Sequence, residues 1–334
     1  EVIRASPPGV GLRNFRFDGA VAGKQFYSII VPLFFSLLLI VLVYFLAMKL
    51  YNNSSVALIA MFLMAISPVD ILTSQKVWAD DMTACLTVLA VLLYFLAVEK
   101  KMPLAAFAGG IACGISAITK QNGAFIAFAI ILWHFLINSD RLFRKDTFLK
   151  VVFDKNLISF GLGAFLAAGY WFWKVFSVYG SPIYTPSQPD IGRVALTNWF
   201  DVVGSRPWYV YLVGTPYQNP LFILAYISPL WLWLDKKRAK NTLLLLIWML
   251  VFLVIFHTYL TGGKEHRYLL PSYPAFAILG AYCANRISIS IDRRVGLMAG
   301  GILLTLGLIA SALWSIPMAF EVLFHNGALI MKPF

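Results

Sequence analysis

The chain has 334 residues, 60% of them hydrophobic and 13% charged, with a formal net charge of +12. Soluble domains carry roughly 25% charged residues, so half that share, with repeated apolar runs of about 18 residues or more, excludes a soluble globular domain and points to a polytopic membrane protein. Short basic loops on one membrane face account for the positive charge more simply than a nucleic-acid partner does.

In chain order, the apolar runs predict helices over 26–50, 56–73, 82–98, 103–119, 124–137, 156–177, 218–234, 242–260, 268–286 and 295–318. The expected fold class is therefore all-α, a single transmembrane bundle over 1–334 with about ten helices. The run at 124–137 is short enough to join its neighbour or to stop part-way through the bilayer. No leader precedes the first run, and the sequence begins at Glu1, so a chain trimmed at its N terminus is expected.

Alternate loops sort by charge. Lys49; Lys100 and Lys101; Arg141, Arg144, Lys145, Lys150 and Lys155; Lys236, Lys237, Arg238 and Lys240; and Arg286, Arg293 and Arg294 fall on one side, which the positive-inside rule makes cytoplasmic. The other side then holds 1–25, 74–81, 120–123, 178–217, 261–267 and the tail after 318. That puts Glu1 outside and predicts a further helix upstream of the first visible one.

Gly110 and Gly114, with Gly161, Gly163 and Gly169 further on, are the small residues through which helices approach closely in lipid. Cys85, Cys113 and Cys283 lie in apolar runs without metal-ligand spacing and read as packing residues. The loop at 178–217 opens with Pro and Ser, then repeats Val194, Leu196, Trp199, Phe200 and Val203 at helical spacing, as an interfacial helix does. Trp199, Trp208, Tyr209 and Tyr211 suit the headgroup level, either as anchors or as a platform for a lipid tail or sugar ring. His134 and His257 read as core histidines, and Asp70 as a helix-end cap or an intramembrane functional acid.

Three outward stretches carry charge at one membrane level: "SQKVWADDM" at 74–82, "ITKQNG" at 118–123 and "TGGKEHRYLLPSYPAF" at 261–276. Lys120 has the plain reading of a side chain reaching up to water, and Asp80 with Asp81 that of N-capping acids. The run Lys264, Glu265, His266, Arg267 is harder to explain so. Gly262 and Gly263 permit a tight turn before it, and Pro271 and Pro274 strip the following helix of backbone donors. Arg267 presents a planar fork suited to phosphate, Lys264 a point charge; Glu265 can orient them and His266 can exchange protons near neutral pH.

These stretches resemble the GT-C membrane glycosyltransferases, and within them the family-39-type protein mannosyltransferases. "KEHRYLLPSYPAFAILGAY" is similar to their late outer-loop motif, "SQKVWADDMTACLTVLAVLLYFLAV" to their second acidic loop and helix, "GISAITKQNGAFIAFAIIL" to their Lys-bearing helix end, and "ASPPG" at 5–9 to the Pro-Pro stretch after the first catalytic loop. The resemblance implies inverting transfer of a sugar, mannose by family, from a polyprenyl-phosphate carrier to an acceptor hydroxyl of a protein, lipid or glycan at the outer face. It matches Arg267 and Lys120 to positions suited to phosphate, and Asp81, with Asp80 beside it, to the second acidic position, which holds the acceptor, the sugar or a metal. With the reading of the residues themselves, Arg267, Lys120, Lys264 and Tyr268 are expected to bind phosphate or substrate, and Asp81, Asp80, Glu265 and His266 to be catalytic. The acidic pair that family members carry after their first helix has no counterpart before residue 26, where only Glu1 and Asp18 are acidic, so the base is expected upstream. The sequence establishes no cofactor. A divalent metal at Asp80 and Asp81 stays open, since two adjacent acids do not make a site. The competing readings are a transporter or lipid flippase and a non-catalytic scaffold.

Overall fold

The computed structural model describes residues 19–180, 209–258, 266–296 and 298–324. Lys264, Glu265, Glu1, Asp18, the "ASPPG" stretch and residues 181–208 of the long loop, with Trp199 and Trp208, lie outside them. The described residues form helices and no strands.

Helix α1 (Gly19–Tyr51) runs into α2 (Ser54–Ala65), whose first turn is capped by Asn53 Oδ1 accepting from the Val56 amide at 3.1 Å. The single helix expected over 56–73 is broken: α3 (Pro68–Ser74) leaves α2 at a bend of 57°. Pro68 is the cause, because it lacks an N–H and pushes Ser67 into an extended conformation. Next come α4 (Asp80–Lys100), α5 (Pro103–Thr119), a 3₁₀ turn over Gln121–Ala124 and α6 (Phe125–Ile137). Two short helices, α7 (Ser139–Leu142) and α8 (Lys145–Val152), carry the basic loop before α9 (Lys155–Tyr179).

After the long loop lies α10 (Val210–Gln218). The run expected as one helix over 218–234 is a staircase of short turns: 3₁₀ at Pro220–Phe222, α11 (Ile223–Ile227), 3₁₀ at Ser228–Leu230 and α12 (Trp231–Leu234). Pro220 and Pro229 each begin a new turn and prevent a continuous ladder. Then follow α13 (Ala239–Thr258), a 3₁₀ segment over His266–Ser272, α14 (Tyr273–Val295) and α15 (Ala299–Phe324). Four described helices are long and apolar enough to cross a membrane, and the bent α2–α3 pair makes a fifth; 103–119, 121–137, 220–234 and 239–254 are apolar but shorter.

Helices α4, α5 and α9 pack together, and small residues set how closely. A Cβ on Gly110 would overlap the carbonyl of Phe160, and one on Gly163 that of Phe107, while a Cβ on Gly114 would sit 2.7 Å from Ala167 Cβ. Of the three glycines expected on α9, only Gly163 serves this contact; Gly161 meets nothing within 4 Å and Gly169 meets only Phe165 of its own helix. Between α4 and α5 the register is held by buried hydroxyls: Ser116 Oγ lies 3.1 Å from the Thr83 carbonyl and 3.2 Å from Thr87 Oγ1. Cys85, Cys113 and Cys283 are buried and unpaired.

The core continues through α1, α2, α13 and α14. Here the 3₁₀ segment is tied down. Trp248 Nε1 donates to the buried Pro271 carbonyl at 3.0 Å and Ser272 Oγ to the Leu269 carbonyl at 2.7 Å. The first of these takes up a carbonyl whose i+3 residue, Pro274, has no N–H to offer.

Two stability outcomes follow. Gly163→Leu lowers the thermal midpoint of the detergent-solubilised protein by several degrees, because α5 must retreat, whereas Gly161→Leu stays within about 0.5 kcal/mol of wild type. Trp248→Phe leaves the Pro271 carbonyl without its donor and destabilises by about 1–3 kcal/mol, read in the same thermal assay.

Candidate functional site

The site is built at the end of the bundle where α4 begins and α5 ends. The turn after α3 is tight: the Lys76 amide donates to the Thr73 carbonyl at 3.1 Å and the Trp78 amide to the Lys76 carbonyl at 2.7 Å. Ala79 occupies the N-cap of α4 without a side-chain bond, so Asp80 and Asp81 are first-turn acids, not caps. That position still favours them, since the N-terminal helix dipole stabilises negative charge.

Across from them, the backbone leaves α5 at Lys120 in an extended conformation and curls into the 3₁₀ turn, where the Gly123 amide donates to the Lys120 carbonyl at 2.8 Å. Gly123 is needed there: any Cβ would overlap Ser116. Because the α4–α5 register is fixed, the side chains meet, and Lys120 Nζ forms an ion pair with Asp80 Oδ1. Asp80 is only 2% exposed and Lys120 25%.

The third segment is the 3₁₀ run that opens at His266. Asn122 Nδ2 donates to the Tyr268 carbonyl at 3.1 Å, joining it to the Lys120 turn. The result is an alternation of cations and rings. Lys76 Nζ lies 4.6 Å from the Trp78 ring centre, and Arg267 Cζ lies 4.1 Å from that same ring on its way to Tyr268, at 5.1 Å. Lys120 Nζ lies 4.6 Å from the Tyr268 ring centre. Arg267 Nη2 also approaches the Tyr268 hydroxyl at 3.4 Å. Contacts of this kind are worth about 0.5–1 kcal/mol when exposed and about 2 when dry. They hold like charges from three segments near one another.

Asp80, Lys120, Tyr268 and Arg267 are thus brought together, while Asp81, the next residue on α4, turns to Thr73 instead. Their surroundings differ. Asp81 is wholly buried, with Thr73 Oγ1 2.7 Å from Oδ1. Nearby on α3, Asp70 Oδ2 accepts from Ser36 Oγ of α1 at 2.7 Å. Asp70 is therefore neither a cap nor exposed; with Asp81 it knits α1, α3 and α4. His266 is 2% exposed, edge-on to Tyr211 with ring centres 5.5 Å apart. Tyr211, expected as a headgroup anchor, is fully buried because it packs on His266, while Tyr209 is 46% exposed. His134, expected as a bonded core histidine, has its Nδ1 2.8 Å from the Tyr94 hydroxyl.

Trp78 and Asn122 were not picked out by their sequence. The signal for Trp78 was an aromatic between Lys76 and Asp80; that for Asn122 was its place two residues after Lys120. Among the described residues, no group of three or more His, Cys, Asp or Glu side chains converges as a metal site would.

Residues 17–173, just under half of the chain, match the family model described as dolichyl-phosphate-mannose-protein mannosyltransferase. No curated protein matches the sequence. Among solved structures, an oligosaccharyltransferase from Archaeoglobus fulgidus, in complex with Zn and sulfate, is similar at a TM-score of 0.55 and 17% identity, covering 94% of this chain and 48% of its own. ArnT from Cupriavidus metallidurans is similar in its apo state at TM-score 0.52 and 15% identity over 89% of this chain and 56% of its own. Its complex with undecaprenyl phosphate is similar at TM-score 0.54 and 16% identity over 91% and 59%. The chain thus spans roughly half the length of these proteins. These likenesses show a shared fold over most of the described helices, and the family match falls on the segment from α1 into α9.

Proposed function

We propose that the chain is the membrane part of a glycosyltransferase that moves a sugar from a polyprenyl-phosphate carrier to an acceptor hydroxyl at the outer membrane face. The observation that carries the reading is the meeting of Lys120 and Arg267, from separate segments, against the ring of one tyrosine: 4.6 and 5.1 Å from the Tyr268 ring centre. A phosphate leaving group is what such a pair of cations is suited to meet. As the acceptor oxygen bonds to the anomeric carbon, the bond to the carrier phosphate breaks and its electron pair passes to a phosphate oxygen. The growing negative charge is met by Arg267 as a fork and Lys120 as a point charge. Asp80 keeps Lys120 aimed. Lys264, adjoining this run in sequence, would add to the same field.

The acceptor's proton passes to a carboxylate outside the Asp80–Lys120 pair, since Asp80 is engaged and Asp81 is enclosed. Glu265 is one candidate by its place in the sequence. Asp81 and His266 act through packing, by holding α3, α4 and the 3₁₀ segment in place.

The outer-face assignment rests on charge. The basic groups at the other end form their own layer: Arg238 Nη1 donates to the Leu50 carbonyl at 3.1 Å, Arg286 pairs with Asp235 at 3.6 Å, and the Lys240 carbonyl accepts from Trp133. Short basic loops of this kind face the cytoplasm. The undecaprenyl phosphate bound to ArnT and the mannose named in the family description suggest the carrier and the sugar. A serine or threonine of a protein, a lipid or a glycan would each supply the hydroxyl.

In membranes containing the full-length protein, Arg267→Ala reduces sugar transfer from a polyprenyl-phosphate donor by about 10²-fold or more, while insertion and abundance stay those of wild type. Arg267→Lys keeps the charge without the planar fork and recovers only part of the activity. Transfer by Arg267→Ala at the wild-type rate would contradict the assignment.

A further inference from the structure

At the opposite end of α6 from Lys120, about 20 Å along a helix of this length, lies a cavity of about 240 Å³ that glycosyl transfer does not use. Its walls are His134 and Asn138 at the end of α6, Arg141 on α7, Thr147 and Lys150 on α8, and Asp154 ahead of α9. We propose that this cavity binds the phosphate-bearing headgroup of an anionic membrane lipid.

The charge around it is unbalanced. Arg141 and Lys150 are exposed cations with no ion-pair partner among the described residues. The one acid in the wall, Asp154, keeps its negative charge while its Oδ1 caps α9, accepting from the Asn156 and Leu157 amides at 2.9 and 3.3 Å, so two cations stand against one carboxylate. Asp140 and Asp146 are exposed on the neighbouring turns but do not line the cavity. The remaining polar groups are turned inward on the protein, Thr147 Oγ1 to the Arg141 carbonyl and Asn138 Nδ2 to the His134 carbonyl.

His134 supplies the buried element. It is 3% exposed, its Nδ1 is held by the Tyr94 hydroxyl, and its Nε2 has no hydrogen-bond partner of good geometry, with the Val151 carbonyl and Asp154 nearby. With Tyr94 donating to Nδ1, the ring carries its hydrogen on Nε2, a donor at the cavity wall. Arg, Lys and an imidazole N–H are the donors that phosphate oxygens accept from.

A lipid is favoured over a soluble anion by what surrounds the mouth. Phe143 is 87% exposed, Phe153 63% and Leu149 60%, all on the same two short helices and their flanks. Apolar side chains bared beside Lys145 and Lys150 on α8 are the arrangement of a helix lying in the headgroup region. Basic pockets between spanning helices at that depth hold anionic headgroups. The cavity is smaller than the roughly 300–1,000 Å³ of sites that enclose a drug-sized ligand, so it takes a headgroup and leaves the acyl chains in the bilayer.

The test uses the purified chain in nanodiscs of phosphatidylcholine with a minority of phosphatidylglycerol, and counts lipid retained on release by native mass spectrometry. Wild type retains phosphatidylglycerol and not phosphatidylcholine, and excess inorganic phosphate does not displace it. The Arg141→Ala/Lys150→Ala variant retains it about tenfold less or worse. Arg144→Ala/Lys145→Ala, which removes the same charge from exposed positions outside the wall, retains it as wild type does. Equal loss in both variants, equal retention of the two lipids, or displacement by inorganic phosphate would each overturn the proposal. All four positions are exposed, so folding is not at issue, and the outcome does not depend on whether the opposite end transfers sugar.

Discussion

Everything at the candidate site depends on an ion pair in a place where ion pairs are costly. Asp80 has almost no solvent contact and Lys120 keeps about a quarter of its own. Withdrawing two charges from water costs several kcal/mol per ion in real proteins, and their attraction offsets this only with good geometry. The fold provides that geometry twice over. Asp80 stands at the N-terminus of α4, where the helix dipole already favours a carboxylate. Lys120 stands at a chain reversal whose position is fixed by Ser116, Gly123 and Asn122. A pair of this kind adds little net stability; it specifies where a cation is held.

The same logic accounts for the layers beneath. Directly under the pair, Asp70, Asp81, Ser36 and Thr73 form a buried polar knot across α1, α3 and α4. Such a knot fixes the bend at Pro68 and with it the turn that carries Trp78 outward. On the far side, Trp248 takes the Pro271 carbonyl that Pro274 cannot pair with and Ser272 takes the Leu269 carbonyl, so the 3₁₀ segment bearing Arg267 and Tyr268 is anchored. The cations are therefore displayed by irregular backbone that the regular helices pin in place, with glycine contacts between α5 and α9 keeping the bundle close enough to do so.

Much of this was legible in the residues. Apolar runs located nearly every helix because lipid admits few alternatives for backbone. Charge asymmetry separated the two ends. The polar stretches at 74–82, 118–123 and 261–276 were legible as one site since charges in so apolar a chain require a reason. What escaped the sequence was three-dimensional. Proline at 68 read as part of a continuous helix, and only packing determined whether it kinked or broke. Gly161 and Gly163 look alike in sequence, yet one faces Phe107 and the other faces outward. Tyr211 had the composition of an interfacial anchor and is enclosed, because His266 comes from far along the chain to cover it. Trp78 became significant only once Arg267 was found against its ring.

The central claim is that Lys120 and Arg267 act on one phosphate. A double-mutant cycle on undecaprenyl-phosphate affinity, with Lys120→Ala, Arg267→Ala and both together, measures it directly. Residues that share a partner are coupled by about 0.5–3 kcal/mol, so the double variant should lose less, or more, than the sum of the single losses by at least that lower bound. Strictly additive losses, or singles that bind the lipid phosphate as wild type does, would contradict the account.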